Sequence, residues 1–186
     1  MKELAVLYYP RLASPEKAVG EYERIVALGR KAGLLEADAY AQLTRIHFEQ
    51  NQPEKTTQVA LAGLKACGHT AGGVTLLTQR VLDVHTAKGV PREKLLEAVG
   101  LIQGQVAAQP GNVELLESVE PAVVRLLLEA DPAAALEEAR LFFYGCGPIN
   151  IPVAIGLVSD AFKRVDGNLG RANRFLKYQK FGAAGE

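Results

Sequence analysis

The placement of its prolines constrains the fold of this chain more than any other feature. Four prolines stand where a helix is able to begin, in the pairs Ser14-Pro15, Gln52-Pro53, Val90-Pro91 and Asp131-Pro132. Proline interrupts the interior of a helix because it lacks a backbone N–H. In the first turn this lack costs nothing, since N–H groups there have no acceptor within the helix. Each pair therefore predicts a helix start, and Ser14 and Asp131 have side chains suited to capping it.

Hydrophobic residues between these breakers recur every three or four positions, which indicates helices rather than strands. In 34–50 the apolar residues that share one face are Leu35, Ala39, Leu43 and Ile46. The same pattern predicts helices over 2–9, 15–32, 35–50, 53–67, 72–88, 91–108, 112–130, 132–144, 151–166 and 168–181. We expect Pro121 to kink or split the helix 112–130. The predicted C-terminal caps are Gly33, Gly68, Gly89, Gly145 and Gly182.

Composition agrees with an all-α fold. Hydrophobic residues make up 48% of the 186 residues, which excludes a disordered chain. Aromatic residues make up only 6% and tryptophan is absent, which is few for a β-sandwich. The 21 basic and 21 acidic residues balance, which argues against a surface devoted to nucleic acid. We expect one helical domain over 1–186, with the possibility open that it belongs to a longer chain.

A small residue followed four positions later by a larger residue or an alanine recurs in every second predicted helix. The pairs are Ala18/Tyr22, Ala60/Leu64, Ala98/Ile102, Ala135/Ala139 and Ala172/Leu176. The alanines are 42, 38, 37 and 37 residues apart, and a recurrence of this length with two helices per unit is typical of an α-solenoid. The sequence therefore predicts about five antiparallel helix pairs.

Two segments resemble tetratricopeptide repeats. The first is 38–67, where Tyr40, Leu43, the turn at Asn51 and the pair Ala60/Leu64 stand near the aromatic, leucine, turn and small/large positions of that family. The second ends the chain, through Gly170, Ala172, Phe175 and Leu176. Thr44 and His47 stand where the family usually has glycine and tyrosine. The resemblance implies an α-α superhelix in which the first helix of each pair lines a concave groove that holds peptides.

Two polar helix faces are the candidate partner-binding surface. In each of the predicted helices 35–50 and 72–88, polar residues at helical spacing share one face. In 35–50 this face lies opposite the apolar stripe. The candidate residues are Asp38, Gln42 and Arg45 in the first helix, and Thr75, Gln79 and Asp83 in the second. The alternative interpretation is that both faces simply contact solvent.

The last predicted helix carries three aromatic residues, Phe175, Tyr178 and Phe181. At this spacing they span about two faces of a helix, so the preceding helix is not expected to bury all of them. We therefore predict self-association here, with a twofold dimer as the simplest form. A heterologous partner and a longer native chain are the alternatives.

No catalytic or cofactor motif occurs, so we expect a non-enzymatic interaction scaffold without a cofactor. Cys67 and His69 lie close together, but a structural zinc site needs about four ligands. His47 is expected to be a hydrogen-bonded core residue. The alternative function is RNA binding, for which the basic segment 160–180 is the candidate, although we do not expect it.

No apolar stretch approaches the roughly 20 residues that a membrane helix needs. The first 25 residues also lack a signal peptide. We therefore expect a cytoplasmic protein, with a mature exported chain as the alternative.

Overall fold

The fold is all-α throughout the described part of a computed structural model, which comprises residues 2–6, 8–9, 14–32, 36–85, 90–167 and 169–182, and no strand occurs in these ranges. The helices are α1 (Lys2–Val6), α2 (Pro15–Ala32), α3 (Glu36–Glu49), α4 (Pro53–Cys67), α5 (Ala71–His85), α6 (Arg92–Ala107), α7 (Val113–Ala130), α8 (Pro132–Gly145), α9 (Ile151–Asp166) and α10 (Leu169–Gly182). A single 3₁₀ turn, Pro148–Asn150, joins α8 to α9. The predicted all-α class is confirmed.

The chain divides into two compact units, Met1–Gly111 and Asn112–Glu186. In the first unit α3 packs against α2, α4 and α5, and α6 packs against α4 and α5. In the second unit α9 packs against α7, α8 and α10, and α8 also packs against α7. Helices that follow each other in sequence thus pack together within each unit. A single domain over 1–186 and a tetratricopeptide-like superhelix stay predictions.

Small residues bring the helices of each unit close together. Ala60, Ala98, Ala135 and Ala172 of the predicted small/large pairs are all buried. Gly63 of α4 is a further small residue at a close contact. A Cβ atom at this position would lie 2.8 Å from the Cβ of Tyr40 on α3. Packing at this distance leaves no space for a side chain between α3 and α4.

The helix ends partly follow the predicted caps. Asp131 caps α8, since its Oδ1 accepts a hydrogen bond from the Ala134 N–H at 3.2 Å. Gly68 is the C-cap of α4 as predicted, with a right-handed φ of −68°. Gly145 is instead the last residue of α8, and Cys146 is the C-cap there. The left-handed glycine cap occurs at Gly167, with a φ of 64° at the end of α9. Gly33 and Gly89 lie outside the described residues.

Pro121 does not split the helix that contains it. α7 continues from Val113 to Ala130 with Pro121 inside it. Proline removes one backbone hydrogen bond and crowds the preceding turn. Val119, Val123 and Val124 are fully buried around it, and burial of a valine side chain is worth roughly 1.5–3 kcal/mol. Packing on both sides of the proline thus offsets its cost.

Candidate functional site

α3 and α5 enclose a surface groove. Its volume is about 240 Å³. The residues that line it are Thr44, Arg45, Phe48, Glu49, Arg80, Asp83 and Val84. We call this site the α3/α5 groove. The first four residues come from the last two turns of α3, and the other three come from the last two turns of α5.

Two ion pairs form the polar part of the groove. The Arg45 Nε lies 2.8 Å from the Glu49 Oε1, and the Arg80 Nη1 lies 2.8 Å from the Asp83 Oδ2. Both pairs bridge neighbouring turns of one helix and are partly exposed, so each contributes little to stability. They leave the groove with charges of both signs and no net charge.

The apolar part of the groove centres on Phe48. Its side chain is 41% exposed, although aromatic rings of this size usually find a place in the core. Val84 is buried beside it in the lining, and the buried Thr44 donates its hydroxyl hydrogen to the Tyr40 carbonyl oxygen at 2.8 Å. The groove therefore offers one accessible aromatic side chain next to two buried residues of its lining, Thr44 and Val84.

The structure brings together part of the predicted partner-binding set. Arg45 and Asp83 line the same groove, although they come from different helices. Gln79 does not line the groove but contacts one of its residues, since its Nε2 donates a hydrogen bond to the Asp83 Oδ1 at 3.0 Å. Gln42 and Thr75 are partly buried and do not line the groove.

Asp38 interacts electrostatically with a different neighbour, Tyr22 of α2. Burial raises the pKa of Tyr22 on α2, and the negative charge of Asp38 raises it further. Asp38 is thus close enough to the Tyr22 hydroxyl to disfavour a second negative charge there. Asp38 therefore belongs to the contact between α2 and α3 rather than to the groove.

Sequence reasoning missed Phe48 and Arg80. A signal for Phe48 was present, since it lies three residues after Arg45 and so one turn along the same helix. Arg80 lies between the predicted Gln79 and Asp83, and only the pairing of α3 with α5 places it in the groove.

A second cavity of about 620 Å³ lies between α4 and α6. Lys65 and Lys94 both pair with Glu97 at its rim, with N–O distances of 2.9 and 2.8 Å. Hydrogen bonds from Lys94 and Lys65 lower the pKa of Glu97 to about 2. These charged groups satisfy one another and tie α4 to α6.

The predicted self-association residues are only partly described. Phe175 packs inside the second unit, where its ring centroid lies 5.8 Å from that of Phe143 and 6.0 Å from those of Tyr144 and Phe162. The side chains of Tyr178 and Phe181 lie outside the described residues.

Two carboxyl groups meet where α7 packs against α8. Glu120 of α7 is only 7% exposed and interacts with Glu138 of α8. Burial raises the pKa of Glu120 to about 8, and the hydrogen bond and negative charge of Glu138 act in the same direction. Glu120 therefore holds a proton at neutral pH and shares it with Glu138.

His47 is buried and its Nδ1 lies 3.0 Å from the Gln52 Oε1, as expected for a hydrogen-bonded core residue. Cys67 is buried whereas His69 is exposed. Among the residues that the structure describes, no group of three or more His, Cys, Asp or Glu is placed to hold a metal ion. No helix in the same ranges is long and apolar enough to cross a membrane.

No protein-family model matches this chain, and neither a curated protein nor a solved structure does.

Proposed function

We propose that this protein is a non-enzymatic helical scaffold that binds a segment of a partner protein in the α3/α5 groove. The observation that supports this proposal is the convergence of Arg45 and Asp83 beside the exposed Phe48. Two helices thereby line one groove that combines an exposed aromatic side chain with charged groups of both signs, a combination that is common at protein-recognition sites.

The size of the groove favours a protein segment over a small molecule. Small-molecule pockets typically have volumes of roughly 300–1,000 Å³. The α3/α5 groove, at about 240 Å³, holds one large side chain. We expect the partner to place one aromatic or aliphatic side chain against Phe48. Polar groups on both sides of that anchor then meet Arg45 and Asp83.

The chemistry of the groove supports binding rather than catalysis. Its charged groups already form ion pairs within α3 and α5, and the lining contains no histidine, cysteine or serine. The Thr44 hydroxyl is engaged by the backbone of its own helix. No nucleophile is therefore paired with a general base in the groove.

RNA binding is the less favoured alternative. In the basic segment that suggested it, Arg164 lies 2.5 Å from Glu129 and Arg171 lies 3.3 Å from Asp166. These pairs reduce the positive charge that a phosphate backbone would meet. RNA binding would show a steep loss of affinity with rising salt concentration, whereas a peptide held by an aromatic anchor would lose little.

Selection from a displayed library of random peptides on the full chain tests the proposal. The same selection is run on the variant Arg45→Glu with Phe48→Ser, which changes only exposed side chains of α3. Peptides enriched on the wild type should bind this variant at least tenfold more weakly.

The matched control is Arg24→Glu with Leu28→Ser, because α2 also carries an exposed arginine, paired with Glu21, and an exposed apolar residue one turn later. It should bind the selected peptides as the wild type does. Equal losses in both variants, or no enrichment on the wild type, would refute the proposal.

A further inference from the structure

Exposed apolar side chains follow one face of α8. Leu141 and Tyr144 are 66% and 56% exposed, and they lie one and two turns after the exposed Glu137. Ile149, on the 3₁₀ turn just beyond α8, is 90% exposed. Isolated exposed apolar residues are common, but several within nine residues point to an interaction surface.

α10 lies directly beside this stripe. The ring of Phe175 packs edge-on against Tyr144, with 6.0 Å between the ring centroids. The Arg140 guanidinium carbon lies 5.2 Å from the centre of the same ring, which ties α8 to α10 a second time. α10 therefore flanks the apolar stripe of α8, and we call the surface formed by the exposed residues of these two helices the α8/α10 face.

The two helices on this face belong to halves of opposite charge. The segment 112–145, which contains α7 and α8, has seven acidic and two basic residues. The segment 151–182, which contains α9 and α10, has six basic and two acidic residues. Within the two helices themselves, α8 carries Glu137 and Glu138 against Arg140, whereas α10 carries four basic residues and no acidic one.

We propose that the α8/α10 face is a self-complementary surface that pairs with a second copy of this chain about a twofold axis. An axis through the face sets the acidic α8 of one copy against the basic α10 of the other, and does so twice by symmetry. Leu141 and Tyr144 of both copies then pack together at the centre. A second copy is the occupant because this chain itself carries the charge pattern that complements the face.

Exposed charged residues of α8 and α10 are the candidates for these contacts. Glu137 is paired with Arg140 at 3.2 Å but keeps most of its side chain in solvent, and Arg174 and Lys177 of α10 are exposed. Ion pairs at an exposed rim are weak and are screened by salt. The dimer is therefore expected to weaken, but not to be lost, as the salt concentration rises.

Sedimentation of the full chain over a hundredfold concentration range tests the pairing. The wild type should convert from monomer to dimer. Glu137→Lys and Arg174→Glu should each weaken the dimer by about tenfold to a hundredfold, because each reversal occurs twice in a twofold dimer. An equimolar mixture of the two variants should recover dimerisation, since every reversed charge then meets its opposite.

Leu141→Gln should abolish the dimer, whereas Leu28→Gln, which changes another exposed leucine, on α2, should not. A wild type that stays monomeric at every concentration would overturn the proposal. So would variants that fail to complement each other, or a dimer that survives Leu141→Gln.

Discussion

At the scale of single residues, Glu120 is the group whose burial has the clearest consequence. Its carboxyl lies between α7 and α8 next to Glu138, and its pKa is raised from 4.5 to about 8. The folded protein therefore retains a proton on Glu120 that the unfolded chain releases near pH 4.5. Stability from this group is fully present below pH 4.5 and is lost as the pH rises to about 8.

Glu120→Gln should remove this pH dependence. Glutamine keeps a hydrogen-bond donor toward Glu138 and has no proton to lose, so the variant should melt at a higher temperature than the wild type at pH 8.5. The difference should shrink toward pH 4.5. Thermal unfolding followed across this pH range is the measurement, with Glu114→Gln on the exposed side of α7 as the control. A variant that is less stable than the wild type at pH 8.5 would show that Glu120 does not carry the shared proton.

The residues of the α3/α5 groove show how far sequence alone reaches at this scale. Arg45 and Asp83 were predictable, because helical periodicity places them on polar faces of their own helices. Asp38 followed the same periodicity but lies near Tyr22 of α2. Periodicity assigns a residue to a face of its own helix, whereas only the packing of helices decides which neighbour that face meets.

At the scale of elements, the turn after α3 adopts a well-defined cap. Asn51 has a φ of 56°, and its N–H donates to the Phe48 carbonyl while the Gln52 N–H donates to the His47 carbonyl, both at 2.9 Å. These two bonds form a Schellman motif, which ends a helix with one left-handed residue. The motif directs the chain into α4 at Pro53, beside the groove-lining end of α3.

Replacement of Asn51 should therefore separate backbone conformation from side-chain contacts. Asn51→Gly should change the free energy of unfolding by less than about 0.5 kcal/mol, since glycine adopts positive φ without strain. Asn51→Val should lower it by about 1–2 kcal/mol, because a β-branched residue is strained there. Urea denaturation measures both, with Gln50→Val as the neighbouring control. Equal effects of valine at positions 50 and 51 would contradict this account.

Element boundaries were largely predictable because their causes are local. Proline at a helix start acts within one turn, so the sequence placed α2 and α4 at their observed bounds, and the cap at Asp131 placed the start of α8 at Pro132. Pro121 was the exception. Its local effect predicts a break, but the buried residues on either side of it in α7 depend on neighbours that the sequence does not specify.

At the scale of the whole molecule, the far-UV circular dichroism spectrum should be that of a mostly helical protein. Every described element is helical, and the stretches between the helices in those ranges are short. A spectrum dominated by strand would contradict the fold in both units.

The central claim is that a partner segment docks between α3 and α5. Hydrogen exchange of the full chain, measured with and without the peptide most enriched on the wild type, tests it most directly. The account predicts slower exchange at 40–50 and 75–85, and unchanged exchange in α6. Protection confined to α6 or to the second unit, with none at 40–50 and 75–85, would contradict it.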